Sequence, residues 1–105
     1  MKIKDYNTLI TAFRADGDAM ANGKRVEYTE SQGDKDVHAN FKAIAKSLDL
    51  DPKIVIGVYL QKHTSSIFNY IKKGKTYSNE SIGGRITDAI QYLELLYALI
   101  QDRKE

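Results

Sequence analysis

Two groups of polar side chains are spaced so that helices would gather them: Lys62-His63 in one segment, and Arg85, Asp88 and Tyr92 in another. His63 follows Ile56 and Leu60 at steps of four and three, and Ile67 and Ile71 follow it at steps of four. On a helix these residues form one apolar stripe, so the imidazole points inward or toward a cleft. Such a group is either a hydrogen-bonded core histidine or a ligand-contacting acid–base centre. The neighbouring Lys62 favours an anionic ligand. Arg85, Asp88 and Tyr92 fall at i, i+3 and i+7 and share one helix face. An exposed Arg85–Asp88 pair would contribute less than about 1 kcal/mol. Asp88 also heads an apolar stripe, however, and a buried carboxylate needs a partner. A third group lies in the passage from Tyr28 through Gly33-Asp34 to Asn40. Gly33 permits a tight turn, and free N–H groups at the following helix start attract anions. The plainer alternative is a capped helix after a polar loop. The candidate ligand-binding set is therefore Tyr28, Gly33, Asp34, Asn40, Lys62, His63, Arg85, Asp88 and Tyr92.

No nucleophile–base–acid triad can be assembled from these spacings. His38 and His63 fall in different segments without an HExxH signature, and cysteine is absent. Asp16-Gly17-Asp18 lacks the remaining ligands of a calcium loop. The sequence gives no catalytic residue, no metal-ligand set and no cofactor.

Four helical segments would position the candidates. Tyr6, Leu9, Ile10 and Phe13 predict a helix over about 5–21, weakened in its second half by Gly17. Val37, Phe41, Ile44 and Leu48 predict a second over 36–48, with Asp34 or Asp36 as N-cap. Asp51-Pro52 opens a third that runs to Lys73 and stops at Gly74. A fourth, over 79–103, begins near Ser78-Asn79-Glu80 and carries Ile82, Ile86, Ala89, Leu93, Leu96 and Ile100. Beside that stripe runs another, of Asp88, Tyr92, Leu95 and Leu99. A helix apolar on two faces must bury both, which predicts self-association. Gly57 would permit a close helix approach. No period-two run predicts a sheet. The expected fold is all-α: a four-helix bundle-like single domain over 1–105, oligomeric, with one long polar loop at 22–35.

Net charge is only +2, but its distribution is uneven. Residues 53–79 carry five lysines (Lys53, Lys62, Lys72, Lys73 and Lys75) and no acid. This is either a solvated helix end or an anion-attracting patch. No apolar run approaches the ~20 residues of a bilayer span, and no signal-peptide pattern opens the chain. The expectation is a cytoplasmic protein without membrane contact.

Several of these residues recur in a pattern of wider reach: Tyr28, Gly33-Asp34, Asn40-Phe41, Leu48, Pro52, Val55, Val58-Tyr59, Lys62-His63, Ser66-Ile67, Gly74-Lys75, Glu80-Ser81-Ile82, Gly84-Arg85-Ile86, Asp88-Ala89 and Tyr92-Leu93. Over about residues 24–100 the chain resembles small phage and prophage proteins distantly similar to nucleotide-modification-associated domains. These in turn are similar to the MazG-like, all-α nucleotide pyrophosphohydrolases. The resemblance implies a helical bundle assembled as dimers or tetramers, binding nucleoside triphosphates through Mg²⁺ on acidic clusters, and a host-cytoplasm location if phage-encoded. The chain departs from that pattern at the metal. Asp88 matches the final acid, but Arg85 stands where a glutamate would precede it, and the Lys62-His63 segment offers no acid. One carboxylate cannot organise Mg²⁺ on a triphosphate.

The expectation is therefore non-catalytic binding of a phosphorylated nucleotide or nucleotide signal, as in a phage counter-defence sponge. The rival readings are a Mg²⁺-dependent pyrophosphohydrolase, a protein-binding inhibitor of a host enzyme, and a helix-turn-helix DNA binder over residues 44–58. Nucleic acid is disfavoured, because Lys53, Ile54, Ile56 and Gly57 stand where base-reading Arg, Asn or Gln would be needed.

Overall fold

The computed structural model describes residues 1–29, 36–76 and 78–102, with side chains described for all of these except 23–29. Gly33 and Asp34 lie outside the described residues. The fold is all-helical, with α1 at Ile3–Thr29, α2 at Ala39–Leu48, α3 at Pro52–Lys73 and α4 at Ile82–Gln101. Among the described residues there is no strand. The chain falls into two compact units, Met1–Lys35 and Asp36–Glu105.

In the first unit, α1 corrects the expected boundaries. Helix continues through Thr29, so residues 22–29 are not the start of the predicted 22–35 loop. Gly17 and Gly23 each cost a helix about 1 kcal/mol relative to alanine, which is a penalty and not a stop. The chain's single proline is Pro52, so nothing in this stretch forbids helix. Tyr28 thus lies on a helix and not in a loop.

In the second unit, local chemistry sets each helix end. Asp36 takes the role of the expected acidic residue before α2, though not as its N-cap. Its Oδ1 accepts from the His38 backbone N–H at 2.9 Å and its Oδ2 accepts from Lys42 Nζ at 2.6 Å. The N-cap position itself belongs to His38, which makes no side-chain cap bond. At the other end Asp49 adopts a left-handed conformation (φ 56°), and Leu50 N–H returns to the Ala45 carbonyl at 2.8 Å. The chain can then re-enter helix almost at once. Asp51 caps α3 by accepting from Lys53 N–H at 2.9 Å, with Pro52 in the first turn. Gly74 ends α3 at φ 75°, its N–H bonded to the Tyr70 carbonyl at 2.7 Å. Helix α4 starts later than expected, at Ile82, because Ser81 and not Ser78 caps it by accepting from Gly84 N–H at 3.0 Å.

Helices α3 and α4 are antiparallel. Tyr59 meets Tyr92, His63 faces Asp88 and Ser66 meets Arg85, so rising numbers on one helix match falling numbers on the other. The start of α2 is pinned to the far end of α4 by His38, which is 3% exposed. Its Nε2–H donates to the Leu95 carbonyl at 2.9 Å, which fixes the tautomer because a carbonyl only accepts. Val55, Ile56, Ala45, Ala89 and Leu99 form the buried apolar centre. On α4 the inward face is the Asp88, Tyr92, Leu95 and Leu99 stripe. Ile86, Leu93 and Ile100 of the other stripe are left exposed.

Two outcomes follow for this unit. His38→Ala should cost about 2–3 kcal/mol in urea denaturation, through the lost hydrogen bond and the void it leaves. The Lys42 hydrogen bond and then the His38 backbone N–H hold the Asp36 carboxyl below its ordinary value of 3.8. Its stabilisation is therefore present above that value and lost as pH falls below it. Melting temperatures from pH 5 to pH 2 should accordingly fall less steeply for Asp36→Asn than for the parent chain, by a modest margin since the side chain is 43% exposed.

Candidate functional site

The α3–α4 interface gathers the central candidates. His63 Nδ1 stands 4.0 Å from Asp88 Oδ2, with the two side chains only 15% and 19% exposed. The His63 ring stacks on Tyr92 at a centroid distance of 5.2 Å and an interplanar angle of 25°. Tyr92 also stacks on Tyr59, at 5.8 Å and 8°. His63 and Tyr59 are one helical turn apart on α3, so both can reach the same ring on α4. Phe41 of α2 closes the group edge-on, at 5.9 Å from Tyr59 and 6.2 Å from Tyr92. These offset and T-shaped geometries suit ring quadrupoles.

One turn toward the α3–α4 connection, Arg85 organises a second layer. Its guanidinium donates to Ser66 Oγ on α3 and to Ser78 Oγ in the connection, the latter at 2.6 Å, and lies 3.7 Å from Glu80 Oε2. Ser78 is held in turn, its Oγ accepting from Glu80 N–H at 3.3 Å. Two buried nitrogens here have no hydrogen-bond partner, His63 Nδ1 and Arg85 Nε. An unpaired buried polar atom costs about 1–3 kcal/mol, and such atoms in native proteins call for an explanation.

Of the sequence candidates, His63, Arg85, Asp88 and Tyr92 are brought together. Lys62, next to His63 in sequence, is exposed. Asn40 is exposed in the first turn of α2, and no described hydrogen bond or ion pair ties it to the group. The lysines of the central patch are exposed along α3 and just beyond it. Three of them have structural roles: Lys53 pairs with Asp51 at 3.2 Å, and Lys72 and Lys73 occupy the last turn, where cations suit the helix dipole. The sequence reading missed Ser66 and Ser78, the Arg85 partners, and Tyr59 and Phe41, which extend the ring stack. Ser66 and Tyr59 could have been found, since each lies within a turn of His63 on the same helix face.

The arrangement offers an imidazole, a carboxylate and a guanidinium beside stacked rings. Chemically, a guanidinium pairs with anions and ring faces stack on aromatic groups. Among the described residues, no three His, Cys, Asp or Glu side chains group as a metal ion would require. No described helix is long and apolar enough to cross a membrane. Compared with family models, curated proteins and solved structures, the chain matches none.

Tyr92 is the ring shared by three aromatic contacts, so its truncation should cost more than that of Tyr59, which is exposed at one edge. Tyr92→Ala should destabilise the fold by about 3–5 kcal/mol in urea denaturation, with Tyr59→Ala clearly below it. Equal losses would mean that the rings act only as bulk.

Proposed function

We propose that the chain binds a phosphorylated nucleotide, or a signal derived from one, without turning it over, and that it does so as a homo-oligomer. The observation that carries the reading is the convergence of His63, Arg85, Asp88 and Tyr92 on one helix interface, with two buried nitrogens there unpaired. A nucleotide needs a stacking surface for its base, hydrogen-bond acceptors for ring edges, and cations for phosphate. Tyr59, the exposed member of the ring stack, supplies the first, Asp88 the second, and Arg85 with the exposed Lys62 the third. Access to the cluster would require the Arg85–Ser78 contact to open, since Arg85 Nε is buried. Turnover is not part of the proposal, because a phosphoanhydride needs its charge neutralised by metal or by several cations. Within the described cluster one guanidinium and two carboxylates, Asp88 and the Glu80 beside Arg85, stand where a hydrolase sets several acids. Sequestration of a nucleotide signal, as by a phage counter-defence sponge, is the biological form this reading takes.

The test is a thermal-shift series with mono-, di-, tri- and cyclic nucleotides, with and without Mg²⁺, alongside assays for phosphate and pyrophosphate release. Binding at a hundredfold excess over the dissociation constant adds about 2.7 kcal/mol of stability. The expected result is a several-degree rise with at least one nucleotide, no release of phosphate, and a smaller rise for Lys62→Ala and Arg85→Lys. Mg²⁺-dependent release abolished by Asp88→Asn would overturn the non-catalytic reading. The absence of any shift across the series would overturn nucleotide binding itself.

A further inference from the structure

The stripe of α4 that the core leaves out has a regular form. Ile86, Ile90, Leu93, Tyr97 and Ile100 recur at steps of four, three, four and three, and are between 37% and 66% exposed. That alternation averages 3.5 residues, the period of a seam between two packed helices. No charged residue interrupts it, although charged residues make up 29% of the chain. Isolated exposed hydrophobics are ordinary, but five in a continuous line on one helix are not.

We infer that this stripe is the surface through which two copies of the chain associate, α4 against α4 and antiparallel. This deepens the homo-oligomer part of the proposed function and does not depend on the ligand. The occupant follows from the stripe's own symmetry. Leu93 is its middle residue, with Ile86 seven positions before it and Ile100 seven after, and Ile90 and Tyr97 at three and four. Turned end for end about Leu93, the stripe nearly superposes on itself, which is what a two-fold interface requires of one surface. Antiparallel pairing also sets opposite helix-dipole ends side by side. The five side chains offer on the order of 500 Å² per copy, so a pair reaches the roughly 1,000 Å² at which an interface becomes credible. Glu94 borders the midpoint and would lie near its own copy, a like-charge contact that limits affinity.

The chain's lack of cysteine gives a direct test. Leu93→Cys should form a disulfide-linked dimer under mild oxidation, and Val58→Cys, more exposed but on α3, should not. By analytical ultracentrifugation the parent chain should dimerise. Leu93→Glu should weaken that dimer about tenfold or more while keeping the parent's circular dichroism spectrum, and Glu94→Gln should tighten it. A parent chain that stays monomeric at high concentration would overturn self-association altogether. A dimer unaffected by Leu93→Glu, or crosslinked as well through Val58→Cys, would place the interface elsewhere and overturn the inference. Neither result bears on nucleotide binding, which the thermal-shift series reads separately.

Discussion

The ring of Tyr92 holds α3 and α4 in register, and most of the second unit depends on that register. On α3, His63 and Tyr59 are one turn apart and both stack on it, while Phe41 meets it edge-on from α2. A slide of α4 by one residue would rotate this ring out of the interface. It would also carry Asp88 away from His63 and Arg85 away from Ser66. The aromatic contacts therefore do more than fill volume. They set the geometry in which a carboxylate, an imidazole and a guanidinium share one half-buried strip between two helices.

Such a strip has an energetic cost. Burying charged groups is unfavourable unless each has partners, and pairing them seldom adds net stability over an apolar contact of similar shape. Here two buried nitrogens, His63 Nδ1 and Arg85 Nε, have no hydrogen-bond partner, and Nδ1 stands 4.0 Å from Asp88 Oδ2, beyond hydrogen-bond distance. Replacing such groups with well-packed leucine or methionine is often neutral or stabilising in a purely structural interface. Their presence beside stacked rings is the physical ground for reading the strip as a binding surface. By contrast, His38 has its ring bonded to the Leu95 carbonyl and serves to dock α2.

Much of this was legible in the residue pattern, and the failures have specific causes. Asp51-Pro52 and Gly74 marked the bounds of α3 because cap and breaker chemistry is local. The inward stripe of Ile56, Leu60, His63 and Ile67 was equally plain, although Ile71 at its end is exposed. The two apolar stripes of α4 were visible, but their ranking was not. The longer one looked like the core, and the structure divides it: Ala89 is buried but Ile86, Leu93 and Ile100 are exposed, while the stripe bearing Asp88 and Tyr92 faces α3. Ring stacking and the α3 register decide this, and neither can be read from one helix alone. The start of α4 was misplaced because Ser78 and Ser81 are both good cap residues, and only the Arg85 contact shows which is engaged elsewhere. Glycine was over-weighted in α1. The role of His38 was invisible, since its partner is a backbone carbonyl 57 residues away.

The chain contains just two histidines, one in each of these settings, and that permits a direct measurement. Imidazole resonances followed by NMR while a nucleotide is titrated in should show the His63 signals moving and those of His38 staying in place. Movement of neither ring during saturable binding, or of His38 alone, would contradict a ligand surface between α3 and α4.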